Sequence, residues 1–298
     1  MRFKLFGATV LSLGILAGAC ANAPTGSGPG NGATGSGSDG GSTGTPSPSP
    51  SDQLVLRIEE VGGFVAVQYN LTRMPIMSLY TDGLLINPGV QTDIYPGPAL
   101  PALTQQRLSP EAIQLLTQAA IDAGLNSDRD LQTMLVSDMP TTVFTLTVDG
   151  QTYTTNVYAL GTDLKHAPQG MSPQEFQARQ DLAAFERKAT DLSWLPAGSV
   201  TDQGMYAPTA LRIYSGPYQP DPSLTDPPIA WPLTPGLALF GDSQQGTPGG
   251  LRCGTVVGDD AATLMPLVEQ ANQLTPWTSN GSQYGLLFRP LLPDESGC

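Results

Sequence analysis

Histidine is almost missing from this sequence: His166 is the only one among 298 residues. The three cysteines, Cys20, Cys253 and Cys298, include no close pair. A zinc site built from clustered imidazole and thiolate ligands is therefore excluded, and histidine-dependent general-base chemistry has a single candidate. No phosphate loop or dinucleotide fingerprint occurs, so neither a cofactor nor a metal is expected. Basic residues are also few, with 13 Lys and Arg against 26 Asp and Glu and a formal net charge of −13. Phosphate recognition needs clustered cations, which excludes nucleic acid as a partner and gives no attraction to anionic lipid. The acidity keeps copies soluble and mutually repelling, or attracts a cationic ligand. Beyond residue 20 no apolar run approaches the roughly 20 residues that span a bilayer.

What is present begins at the N-terminus. Arg2 and Lys4 precede an apolar run from Leu5 to Leu16, and the small residues Ala17, Gly18 and Ala19 lead to Cys20. This is the grammar of an export signal. Ending on cysteine, it resembles a bacterial lipoprotein signal, whose cysteine is acylated with fatty acids such as palmitate and becomes the new N-terminus. Leu16 stands one residue earlier than that family's usual leucine. The resemblance covers residues 1–20 as a signal peptide and implies lipidation at Cys20, with the protein held on the extracytoplasmic face of a cell membrane. An ordinary cleaved signal with a chance cysteine is the alternative.

Lipidation of Cys20 would leave Cys253 and Cys298, in a compartment where disulfides persist. A bridge between them would close a loop of 46 residues, stabilising by roughly 4 kcal/mol in the chain-entropy model; two free thiols are the other reading. Arg2 and Lys4 are the only charged residues of the first twenty, so the remainder carries 11 basic and 26 acidic side chains, a formal charge of −15. Residues 21–53 are almost wholly Gly, Ser, Thr, Pro and Ala. Such a segment has too little to bury to offset the entropy of ordering, so a disordered linker is predicted, spanning roughly 30 Å root-mean-square. It suits a stalk.

The remaining residues read as an α+β fold in two similar strand-strand-helix-strand halves, 54–195 and 196–298. Strand Val55–Ile58 is followed by a hairpin through Asp82-Gly83 and a second hairpin through Asp149-Gly150, a strong turn signal between apolar runs. Ser109-Pro110-Glu111 and Ser172-Pro173-Gln174-Glu175 start capped helices. In the second half, Leu211-Arg212-Ile213 echoes Leu56-Arg57-Ile58. Leu237–Phe240 and Arg252–Val257 read as strands, Asp259-Asp260 caps a helix, and Tyr284–Phe288 closes. The stretch 216–250 is rich in Pro and Gly; its Trp231, with Tyr214 and Tyr218, either forms a binding patch or packs the loop down.

Three patterns bear on chemistry. Leu239-Phe240-Gly241-Asp242-Ser243 looks like the nucleophile segment of the Gly-Asp-Ser-Leu class of serine hydrolases, and Asp163-Leu164-Lys165-His166 like its Asp-x-x-His pair. That resemblance implies Ser243 as nucleophile, His166 as base and Asp163 as its orienting acid. Here, however, the order is reversed and Gln244 replaces the leucine; Gly-Asp-Ser is also an ordinary turn sequence. The pairs Glu59-Glu60 and Asp259-Asp260 do not converge, since neighbours on a strand face opposite ways and helix starts favour acids. Lastly, the run Arg57-Ile58-Glu59-Glu60-Val61-Gly62-Gly63-Phe64, with the helix at Ser109 and the hairpin through Asp149-Gly150, looks somewhat like emfourin, a small bacterial metalloprotease inhibitor. It implies a module that binds a protein surface. The sequence thus favours a non-catalytic binding or interaction protein of the cell envelope, with an envelope protein as partner. A protease-inhibitor-like protein is the alternative, and a serine hydrolase a further one.

Overall fold

The computed structural model describes residues 53–162, 164–222, 226–244 and 250–298, all within the compact unit Gly44–Cys298. The signal, Cys20 and nearly all of the expected stalk therefore lie outside the described residues, as does Asp163. The fold is α+β and mostly β. In chain order it runs β1 (Leu54–Gly62), α1 (Val67–Thr72), β2 (Met77–Tyr80), β3 (Leu84–Pro88), β4 (Leu103–Leu108), α2 (Pro110–Asp122), β5 (Arg129–Leu131), β6 (Pro140–Val148), β7 (Gln151–Tyr158) and α3 (Pro173–Thr190). There follow β8 (Val200–Met205), β9 (Ala210–Pro217), β10 (Ile229–Ala230), β11 (Asp242–Ser243), β12 (Arg252–Val257), α4 (Gly258–Gln270), β13 (Trp277–Ser279) and β14 (Ser282–Pro290).

Two sheets result. The first has eight strands in the order β5-β7-β6-β1-β2-β3-β4-β8, the second six in the order β10-β13-β14-β9-β12-β11. Only the short outer strands β5 and β10 pair in parallel. Strand β8, beyond the expected boundary at 195/196, is the outer strand of the first sheet, paired with β4. Local chemistry accounts for the sharpest boundaries. Asp149 and Gly150 both take positive φ, as a two-residue hairpin turn requires. The Ser109 hydroxyl accepts from the Ala112 N–H, and that of Ser172 from the Glu175 N–H, each relieving an orphan amide of its helix.

The first sheet is backed by two helices and the second by one, each over its own core. Leu56, Ile58, Leu79, Phe144 and Leu146 face Leu116 of α2 with Leu182 and Phe185 of α3. In the second sheet Leu211, Ile213, Val256 and Phe288 pack with Leu264 and Val268 of α4 and with Trp231, Phe240 and Trp277. Two expectations are corrected. Leu237–Phe240 is a turn, closed by the Leu239 N–H on the Gly236 carbonyl, with Leu237 and Phe240 both buried. Asp259 and Asp260 lie in the first turn of α4 but make no capping hydrogen bond; Val257 occupies the cap position. There they complement the helix dipole only.

The second face of the first sheet carries a polar seam. Arg57 of β1 donates to Ser78 Oγ (2.9 Å) and to the Tyr80 hydroxyl (3.2 Å), both on β2. It also donates to Asp294 Oδ1 (2.7 Å), which takes the Tyr80 O–H at 2.7 Å as well. Arg289 of β14, in the other sheet, grips Glu295 with both terminal nitrogens, at 2.5 and 2.7 Å. The tail after β14 thus pairs with both sheets. Leu292 is buried beside Tyr80, Ile86 and Leu103. The tail ends at Cys298, bonded to Cys253 with Cα atoms 5.9 Å apart.

Candidate functional site

At the end of β1 the chain leaves the first sheet through Gly62 and Gly63, both at positive φ. Gly63 lies against Pro140, which begins β6, and the Phe64 N–H donates to the Asp138 carbonyl at 3.0 Å. Two segments are brought side by side in this way, 61–69 and 134–139. Phe64 is 87% exposed and Leu135 is 78% exposed. Val61, Val65, Val67, Tyr69 and Val136 are also exposed. Helix α1 buries none of its residues. Soluble proteins seldom present so many large apolar side chains together without a partner for them.

The tip is held rigidly from beneath. The Tyr158 hydroxyl donates to the Val136 carbonyl (2.9 Å) and accepts from the Met139 N–H (3.3 Å). Glu175 Oε1 accepts the Thr133 N–H and also receives Arg179 Nε. On the α1 side Arg73 stacks on the Tyr69 ring, 4.8 Å from its centroid, and pairs with Glu60 at 3.4 Å. The Arg73 carbonyl in turn accepts from Arg289 Nε. A pre-ordered apolar patch loses less entropy on binding than one that must be ordered. The exposed Asp138 lies within the tip segments, with Glu60 just before them on β1; Glu59, whose carboxyl burial pushes up against the pull of Arg57, faces the polar seam.

A groove of about 420 Å³ runs between α3 and the chain leaving β7, lined by Leu160, Thr162, Leu164, Arg179, Glu186 and Arg187. Its most buried cation is already committed, because Arg179 donates to Glu175 and to the carbonyls of Tyr158 (2.8 Å) and Leu131 (2.7 Å). Burial and the Glu60 charge push the Glu186 carboxyl up despite Arg187. Among the described residues that line the groove, Glu186 is the one carboxyl.

The sequence-derived candidates fall elsewhere. Ser243 is exposed on β11, the outer strand of the second sheet, opposite Arg252. His166 is exposed on the chain between β7 and α3. Glu59 and Glu60 sit on β1, and Cys253 and Cys298 form the bridge already described. Of the candidate aromatic patch, Trp231 packs down, buried edge-on to Phe240 and Trp277 with its indole N–H donating to the Pro235 carbonyl, and Tyr214 is buried too, while Tyr218 is half-buried. Reasoning from sequence missed the tip. The only trace was apolar residues, Phe64-Val65 and Leu135-Val136, next to turn residues outside any periodic pattern. No group of His, Cys, Asp and Glu among the described residues is arranged to hold a metal, and no helix among them is long and apolar enough to cross a membrane. Comparison of the chain with protein-family models, curated protein sequences and solved structures finds no match.

Proposed function

We propose that this is a lipid-anchored protein of the bacterial cell envelope whose globular part binds another protein through the apolar tip, without catalysis. The observation that carries the reading is the pair of largely exposed side chains, Phe64 and Leu135, on two segments that the Phe64–Asp138 hydrogen bond joins at one end of the first sheet. Aromatic anchors of this kind dominate protein interfaces. The anchored segment enters at Gln53, the opposite end of the nine-residue β1 from the tip. At roughly 3.3 Å per residue this separates them by about 26 Å, so the tip points away from the point of tethering. The acidic Asp138 and Glu60 and a charge of −15 on the exported chain disfavour an anionic bilayer and favour a protein whose apolar patch is edged by Lys or Arg.

A narrower version makes that partner an envelope protease, supported by the emfourin-like run Arg57 to Phe64, which ends in the tip. We also read the two sheets as two copies of one unit. Both β1 and β9 carry Leu-Arg-Ile, sit inside their sheets, and pair antiparallel on both sides. A photo-crosslinking residue placed at 64 or 135 of the full chain in cells should link to one and the same protein, and at Gln151 to none. Crosslinks to lipid, or to nothing, would remove the proposal. Replacing Cys20 with serine should release the protein from membranes; continued membrane fractionation would refute the anchor.

A further inference from the structure

The last eight residues do more than end the chain. Leu292 fills an apolar site on the first sheet beside Tyr80, and Asp294 pairs there with Arg57 at 2.7 Å. One residue on, Glu295 turns to Arg289 of the second sheet, and its Oε2 also takes the Leu292 N–H at 3.0 Å. Arg212 of β9 then donates to the carbonyls of Ser296 and Gly297, both at 3.0 Å. Gly297 lies so close to Thr255 Oγ1 that no side chain fits at 297. Finally Cys298 bonds Cys253, which is buried on β12, while Cys298 itself is exposed.

The strap therefore attaches to the first sheet through 292–294 and to the second through 295–298. Arg57, Arg289 and Tyr80 are buried where it crosses. If the tail left, two buried guanidinium groups would lose their carboxylates, a strongly unfavourable state. They would regain water only by opening the seam. What opposes tail release is a short run of contacts against the entropy of about 1–2 kcal/mol per ordered residue, and the disulfide, by pinning the far end of a tail already joined to β14, raises the effective concentration of the contacts between. Other links between the sheet units among the described residues are the Ala99 N–H on the Ala271 carbonyl, the Gln273 N–H on the Gly97 carbonyl, and Arg289 Nε on the Arg73 carbonyl.

We propose that the tail is a thiol-sensitive fastener between the two sheets, closed when Cys253 and Cys298 are oxidised and open when they are reduced. A dithiol reductant attacks the sulfur of Cys298, the exposed partner of the bridge, forming a mixed disulfide and expelling the Cys253 thiolate, which takes up a proton. The reductant's second thiol then displaces Cys298. Two electrons and two protons pass to the cysteines and the reductant leaves as its own disulfide. With the covalent end gone, Asp294 and Glu295 exchange off Arg57 and Arg289, and the seam admits water.

The full-length protein tests this in its oxidised form, after treatment with dithiothreitol, and as Asp294→Asn/Glu295→Gln with the disulfide intact. Hydrogen exchange and tyrosine nitration, both mapped by mass spectrometry, are the readouts. Reduction should speed exchange across 291–298 by about tenfold or more and expose Tyr80 to nitration, while amides of α2 and α4 stay protected. The double variant should do the same without reductant, and Tyr95, already exposed, should be nitrated throughout. An unchanged tail and Tyr80 on reduction would overturn the proposal. So would loss of protection everywhere, since the disulfide would then be a staple for the whole fold. A double variant that stays closed would overturn the role of the carboxylates.

Discussion

Replacing Glu295 by glutamine removes one charge from the seam and little else. The amide keeps an oxygen for the Leu292 N–H and nearly the same volume. What it cannot keep is the two-pronged grip on Arg289, at 2.5 and 2.7 Å, nor the weaker attraction to Arg57 at 3.8 Å. Arg289 is 6% exposed, so its guanidinium remains buried with no carboxylate against it. Removing one partner of a buried pair costs about 3–5 kcal/mol. For a folded region of this size each kcal/mol lowers Tm by about 2–4 °C, giving a fall of about 6–20 °C. Urea unfolding of the oxidised protein, followed by circular dichroism, measures the free energy. The companion variant Arg289→Met/Glu295→Leu should recover most of the loss, because replacing both members of a buried pair with apolar groups is often neutral. Glu295→Gln within about 1 kcal/mol of the parent protein would refute the reasoning, since that is the value of an exposed pair.

Other outcomes follow from the same structure. Burial opposes ionisation of Glu295, but the hydrogen bonds and charge of Arg289 outweigh it and hold the carboxyl below its ordinary 4.5. Its contribution is therefore complete above that value and is lost as pH falls through the lower folded value, so a urea series against pH should show a decline there that Glu295→Gln flattens. Glu59 has the opposite sign: burial raises its carboxyl, so Glu59→Gln should raise stability at neutral pH and change nothing well below the ordinary value. Leu116→Ala, in the fully buried first core, should cost about 2–5 kcal/mol by the same assay. Phe64→Asp should stay within about 0.5 kcal/mol of the parent in stability yet abolish the crosslink from position 135.

Elements whose signals are local were readable in advance. Asp149-Gly150 dictates a turn through backbone dihedrals, and Ser109 and Ser172 dictate helix starts through one hydroxyl each. Strands β4 and β8, Leu-Thr-Gln-Gln-Arg-Leu and Val-Thr-Asp-Gln-Gly-Met, were not, because both are largely polar and are strands through pairing with distant segments, β4 with β3 and β8, and β8 with β4. Leu237–Phe240 misled in the other direction, since an apolar run of four serves a buried turn as well as a strand. The buried arginines were invisible for a different reason. Arg57 is buried because Asp294 meets it, 237 positions away, and nothing near Arg57 in the sequence announces that carboxylate. The tip was hidden because a loop valine and a core valine look alike until the fold decides which is covered.

On the proposed function, strand β1 runs from the tethered side of the chain to the tip, and this would give it a mechanical role. A pull on the chain ahead of Leu54, with a partner held at Phe64, acts along the strand rather than across it. The force is shared in shear by seven residue pairs with β6 and four with β2. Bonds loaded side by side have to fail together, whereas bonds at a peeled edge fail one at a time. Tension between the proposed anchor and the proposed partner would thus fall on the arrangement of backbone hydrogen bonds best able to bear it.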